Sequence, residues 1–278
     1  MPDAVAEARA AIEAAGHLPD DELNLAAVAL QFARIDAPEA NWRAAEARIS
    51  ELVRAVLSRN LPTDAEGRRA LLAEVIHEKG GYEGDSETYD DPRNANLIRV
   101  TERRRGLPVA IGLLWLHLAE SAGWTARGLD FPGHFLIAIE GMGKGGALVA
   151  DPFGGGTALP AQALRSLIKQ IEGPDAELRP GMLVPMSRRA VLLRLQTNIR
   201  LRRLHDNDLE GALACTTDML RLAPDAAPLW REAAVMNARL GRLGAAIEGM
   251  ERFLALVPTG EAAERGRDMI EEWRARLH

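Results

Sequence analysis

Few residues in this chain have the chemistry to act on a substrate, and they fall in a telling order. His134 follows Pro132-Gly133 and opens an apolar run, Phe135-Leu136-Ile137. Asp151 closes another, Val149-Ala150, and precedes Pro152-Phe153. On adjacent antiparallel strands the two can meet, and the carboxylate can then accept a hydrogen bond from the imidazole and fix its tautomer. A base oriented in this way serves a nucleophile, for which an upstream helix N-terminus is the natural seat. The chain has such a start, a glycine turn at Gly106 and an apolar helix opening at Pro108. Yet Pro108, Val109 and Ala110 offer no thiol, hydroxyl or amine. The plainer reading of His134 and Asp151 is a polar tie between two strands.

Other reactive side chains are poor substitutes. Cys215, the only cysteine, falls where two helices are expected to cross and reads as a small buried residue. Ser121 sits at the far end of the helix from Pro108. His77 and His117 lie on expected helices and, with His134 and Asp151, could be imagined as metal ligands, but no His-x-x-x-His spacing supports that. We expect no metal and no cofactor. The glycine-rich stretch Gly141-Met142-Gly143-Lys144-Gly145-Gly146 has neither the spacing nor the strand-to-helix context of a phosphate cradle and reads as a hairpin loop. Arg103-Arg104-Arg105 could contact phosphate; the alternative is a solvated helix end, where cations are favoured.

The elements around these residues can be read from periodicity and punctuation. A helix is expected over 20–36, capped by Asp20 or Asp21. Another is expected over 38–58, with Pro38 in its first turn and an apolar stripe of Trp42, Ala45, Ile49, Leu52, Val53, Val56 and Leu57. Thr63-Asp64-Ala65-Glu66 reads as a capping box for a third helix that turns Leu71, Leu72, Val75 and Ile76 inward and stops at Gly80-Gly81. Residues 82–93 are polar and turn-rich, and Asn94 can cap a short helix carrying Leu97, Ile98 and Val100. The apolar helix from Pro108 runs to about Ser121 and ends at Gly123. Short strands are expected over 126–131, 135–140 and 147–151, then a turn at Gly154-Gly155-Gly156, a helix from Pro160 through Ile171, and a proline-bearing linker over 173–186.

The last eighty or so residues compare well with themselves. Ala212-Leu213 matches Ala246-Ile247, and Met219-Leu220-Arg221-Leu222-Ala223-Pro224 matches Phe253-Leu254-Ala255-Leu256-Val257-Pro258, at an offset of 34 residues. Small residues, an apolar stripe and a proline after the second helix resemble the tetratricopeptide repeat, over roughly 197–278. So short an array builds no long concave groove; it can pack on the preceding domain or take one short partner segment.

Composition sets the outer bounds. The chain has 278 residues, 47% of them apolar but only 4% aromatic, so its cores must be mostly aliphatic. A net charge of -6 argues against a broad nucleic-acid footprint. No stretch approaches the ~20 apolar residues of a membrane span, and the first residues show no secretory signal, so a soluble cytoplasmic protein is expected.

Four motifs taken together carry a family resemblance: Tyr89-Asp90-Asp91-Pro92-Arg93-Asn94, Arg103-Arg104-Arg105-Gly106-Leu107-Pro108, Phe131-Pro132-Gly133-His134-Phe135 and Asp151-Pro152-Phe153. With the repeat tail, they make the chain similar to the SirB1 family, whose domain is transglutaminase-like with a papain-like core. The resemblance implies an α+β fold: a helical N-terminal part, a papain/transglutaminase-like core with a small antiparallel sheet over residues 1–186, and an all-α helical-repeat tail over 187–278. In active transglutaminase-like enzymes the sequence Gly, any residue, Cys precedes a helix that ends in glycine. Laid on this chain, Gly106 and Gly123 take the glycine positions and the cysteine falls on Pro108. His134 and Asp151 match the base and its orienting carboxylate. The expectation is a non-catalytic, bacterial interaction or regulatory module with a protein or peptide partner. The alternative is a hydrolase or acyltransferase in which His134 and Asp151 activate water or a substrate group.

Overall fold

The computed structural model describes residues 2–142, 146–179 and 181–277. The chain forms two compact units, one from residues 1–8 and 19–195, the other from 9–18 and 196–278. Helix α1 (Pro2–Gly16) supplies residues to both.

In the first unit, α2 (Leu25–Asp36), α3 (Trp42–Leu57) and α4 (Ala65–Ala73) are each started by a side chain that accepts from a backbone N–H three residues on: Asn24 from Ala27, Asn41 from Ala44, and Asp64 from Gly67. Three expected starts are thereby corrected. Asp20 and Asp21 lie in a separate 3-10 turn, and Asp20 instead accepts from the backbone N–H groups of Arg188 and Arg189, both at 2.8 Å. Pro38 lies ahead of its helix, and Asp64 rather than Thr63 is the cap. Leu57, expected on the inner stripe, is 48% exposed at its helix end. Helix α4 runs on into a single π-helical turn, Glu74–Lys79, which carries His77.

Strand β1 (Glu83–Gly84) pairs in parallel with β2 (Arg105–Gly106). Between them lies α5 (Leu97–Arg103), capped by Asn96 through Ile98 and Arg99. Asn94, expected as that cap, is fully buried and instead donates to the Thr88 carbonyl and accepts from Arg103. The arginine run does end a helix, with Arg104 exposed, but its flanking members are paired. Arg103 pairs with the buried Asp85 at 3.1 Å, and Arg105 with Glu83 and Glu87. Arg104 takes the left-handed C-cap of α5, at φ 57°.

Helix α6 (Pro108–Ser121) is the centre of this unit. A helix apolar on every side must be covered on every side, and Pro108 through Leu116, Leu118 and Ala119 are all buried. It contacts α2, α3 and α4 and one face of the sheet. That sheet is an antiparallel meander of β3 (Ala126–Phe131), β4 (His134–Ile139), β5 (Leu148–Asp151) and β6 (Thr157–Ala158). Gly112 meets the sheet where a Cβ would come within 2.3 Å of the Phe135 ring, so only glycine lets the two surfaces close. The other face carries Leu129, Phe131 and Leu136, which pack on Leu164 and Ile168 of α7 (Ala161–Glu172).

The β3–β4 turn is Pro132-Gly133, with Gly133 at φ 63°. Of the expected loop 141–146, Gly143, Lys144 and Gly145 lie outside the described residues. So does Pro180 of the expected linker. The rest of that linker is not free: its end lies along β3, with Met186 N–H bonded to the Gly128 carbonyl and Asp130 N–H to the Val184 carbonyl.

Helix α8 (Arg188–His205) follows, and its residues from Gln196 onward belong to the second unit. There α9 (Leu209–Leu222), α10 (Ala227–Arg239), α11 (Leu243–Leu256) and α12 (Glu261–Ala275) pack in sequence as antiparallel neighbours. Ala234 and Ala246, both fully buried, let helices approach closely around Met250, Phe253 and Trp273.

Candidate functional site

The site begins with the strand register. Ile137 stands opposite Ala150, which sets Asp151 diagonally across from His134 on neighbouring strands, within side-chain reach. His134 Nε2 lies 3.0 Å from Asp151 Oδ1. The same oxygen accepts the Phe153 N–H at 2.9 Å. Burial pushes the Asp151 carboxyl upward, but the hydrogen bond and charge of His134 and the N–H groups of Gly154 and Phe153 outweigh it and hold it below the usual carboxylate range. Asp151 is therefore ionised near neutral pH and can only accept. It follows that neutral His134 carries its proton on Nε2 and its lone pair on Nδ1. Among the described residues the ring's hydrogen bond is made by Nε2 and none by Nδ1, and the side chain is 15% exposed.

Phe153 closes one side of this pair. Its ring meets that of His134 edge-on, at 6.2 Å between centroids and 86°. On another side it meets Tyr89 at 6.1 Å and 71°. Gly84 of β1 lies under the ring, where a Cβ would fall 2.3 Å from a ring carbon. The strand start bearing His134 is also held from α8, where Arg194 donates to the His134 carbonyl at 2.6 Å and pairs with Asp130. Chain distance hides these supports: only Tyr89 and Phe153 stood in motifs that the sequence marked.

The Tyr89–Asn94 motif proves to be a framework. Asp85, 2% exposed, accepts from the Thr88 N–H and hydroxyl and from Arg103. Burial raises its pKa, but these bonds together with Asn94 hold it well below the usual range. The Asn94 carbonyl then accepts from Leu107 N–H, which fixes the entry to α6. Pro108 at that entry is buried.

The remaining candidates are occupied or distant. His77 Nδ1 faces the Tyr82 carbonyl at 2.6 Å, and its Nε2 accepts the indole N–H of Trp115 at 3.1 Å. Burial holds its pKa below the ordinary value, against the pull of the Tyr82 carbonyl and Asp151. Among the described residues, the buried His117 Nδ1 has no hydrogen-bond partner, and burial lowers its pKa too. Ser121 donates to the His117 carbonyl at the far end of α6. Cys215 is buried in α9 with its sulfur 3.6 Å from the Gln196 carbonyl. Among the described residues no three His, Cys, Asp or Glu side chains group as metal ligands, and no helix is long and apolar enough to cross a membrane.

With this geometry in place, comparison with known proteins decides the family. The transglutaminase-like superfamily model matches residues 43–197, more than half of the chain. The chain belongs to the transglutaminase-like superfamily. A tetratricopeptide repeat model matches residues 199–271. Together they give the domain order that the SirB1 resemblance implied. A UPF0162 protein of Xylella fastidiosa is 31% identical over 195 residues, 69% of each chain. One from Vibrio cholerae is 27% identical over 88% of this chain and 90% of its own. Among solved structures, a crystal structure of menin aligns with 90% of this chain and 69% of that one, at 12% identity and a TM-score of 0.42, too distant to bear on function. The tail repeats itself in backbone geometry as well as in sequence. Asp208 and Arg242, 34 residues apart, precede α9 and α11 with φ, ψ of −81°, 72° and −89°, 63°; Ala223 and Val257 end those helices at −134°, 73° and −131°, 80°.

Proposed function

We propose that this protein is a non-catalytic member of its superfamily, an interaction module in which the old acyl-transfer cleft is a binding surface and the repeat tail takes a protein or peptide partner. The observation that carries this reading is Pro108. It fills the first turn of α6, buried, at the position onto which the resemblance to active transglutaminase-like enzymes lays their cysteine, and a base without a nucleophile gives little acyl transfer. The tail supports the second half, because tetratricopeptide repeats generally mediate contacts between proteins.

A specific observation favours a second reading. His134 presents an unpartnered lone pair beside an ionised carboxylate, the arrangement of a general base awaiting water or a substrate hydroxyl.

One experiment separates them. Full-length wild type, His134→Ala and Phe253→Asp (which disrupts the tail core) are used as baits in native extract, and purified proteins are assayed for amide hydrolysis and amine incorporation. Under the first reading, the partner of the tail is retained by wild type and His134→Ala, lost by Phe253→Asp, and binds again when purified, with no turnover. Turnover by wild type that falls about 10²-fold or more in His134→Ala overturns that reading and establishes the second.

A further inference from the structure

We infer that Phe153 is a positioning residue for the His134–Asp151 pair, and that Gly84 is the seat that makes its position possible. The inference rests on the reading of that pair as a functional unit, whichever role it serves.

Three contacts converge on Phe153. Its backbone N–H donates to Asp151 Oδ1, the oxygen that also meets His134 Nε2. Its ring stands edge-on to the imidazole. Its opposite support is bare backbone, because Gly84 leaves the ring no side chain to avoid. An imidazole on a single hydrogen bond can swing about χ1 and χ2 and exchange tautomers. A ring packed at right angles against it removes that freedom and shields the His134–Asp151 bond from water, which strengthens it. The result is that the lone pair stays on Nδ1, facing out. Such a site takes a group that donates a hydrogen bond, an amine, amide N–H or hydroxyl, in preference to one that only accepts. Gly84 owes its place to the register of β1 with β2, Gly84 opposite Gly106 at the entry to α6. The strand pair beside the Pro108 position therefore also carries the support for the base.

The test reads His134 directly. Full-length protein labelled with 15N-histidine is followed by long-range proton–nitrogen NMR across its titration, for wild type, Phe153→Leu, Phe153→Tyr, Gly84→Ala and Tyr89→Ala. The expected result is a single Nε2–H tautomer in wild type, Phe153→Tyr and Tyr89→Ala. Phe153→Leu and Gly84→Ala, still folded by circular dichroism, should show mixed tautomers and a displaced titration midpoint. A folded Phe153→Leu with the wild-type tautomer and midpoint would overturn the inference. Should Phe153→Leu not fold, Gly84→Ala decides, since its methyl shifts the ring off its seat while the Phe153 side chain itself is kept. Mixed tautomers already in wild type would instead refute the pairing itself, and with it the functional reading of the site.

Discussion

The two units of this chain differ in how their residues find partners. In the repeat unit, corresponding residues 34 positions apart carry nearly the same cap angles, and the matching Ala212 and Ala246 are both fully buried, so one local rule is used twice. In the transglutaminase-like unit each part is used once. A π-helical turn seats His77 against Trp115, a buried carboxylate ties Arg103 to the loop before it, and a glycine in one sheet receives a phenylalanine that follows another. The lesson is that the repeat unit can be read from one local rule, whereas the site-bearing unit depends on singular contacts.

The contrast can be tested by substitution. The largest effect is expected for Trp115→Ala, which opens a cavity at a fully buried position and deprives His77 of its donor: about 3–5 kcal/mol lost in denaturant unfolding. Asp85→Ala leaves Arg103 facing an emptied, buried partner and should cost about 3 kcal/mol. Gly112→Ala forces a methyl into the Phe135 ring and should cost about 1–3 kcal/mol. The smallest effect has the opposite sign. Asp208 caps α9 by accepting from Gly211 N–H, while the equivalent Arg242 gives α11 no side-chain cap. Arg242→Asp should therefore stabilise the tail by about 0.5–1 kcal/mol. The change also gives up the exposed Arg242–Glu210 ion pair, so a loss of stability there would mean that this pair outweighs a cap.

Acid should separate the units as well. The folded state lowers the pKa of His77, so its neutral form supports stability fully above 6.5 and that support is lost as pH falls through its folded value. Asp85 and Asp151 are lowered too, so their support is present above the ordinary carboxylate value of 3.8 and is lost as pH falls through their folded values. All three lie in the first unit. Hydrogen exchange at about pH 7.5, 5.5 and 4 should show protection falling first around residues 74–82. Protection lost first in α9–α12 would refute this.

How much of this was legible in the sequence follows the same division. The repeat could be read by laying the chain on itself, because its rule is local. The apolar α6, the strands and the His134–Asp151 pairing were legible from periodicity and turn residues. The helix starts were misread at Asp20, Pro38, Thr63 and Asn94. Each of these residues has the right local chemistry, but tertiary contacts recruited a neighbour or drew the side chain elsewhere, as Asp20 was drawn to Arg188. The helix end at the arginine run was legible, but its pairing was hidden for the same reason: the partners Asp85, Glu83 and Glu87 lie some twenty residues upstream. Phe153 could be seen in a motif, but nothing nearby in sequence announced Gly84 as its seat.

Asp20 and α1 also set an order of assembly. Asp20 bonds to backbone 168 residues later, and Arg9 pairs with Asp218. The buried faces of Ile12 and Ala15, and Gly16 pressed against the Arg221 backbone, belong to a unit whose other residues, 196–278, are made well after them. At translation speeds of about 5–20 residues per second, that early amphipathic segment waits roughly ten to forty seconds outside the ribosome before its partners emerge.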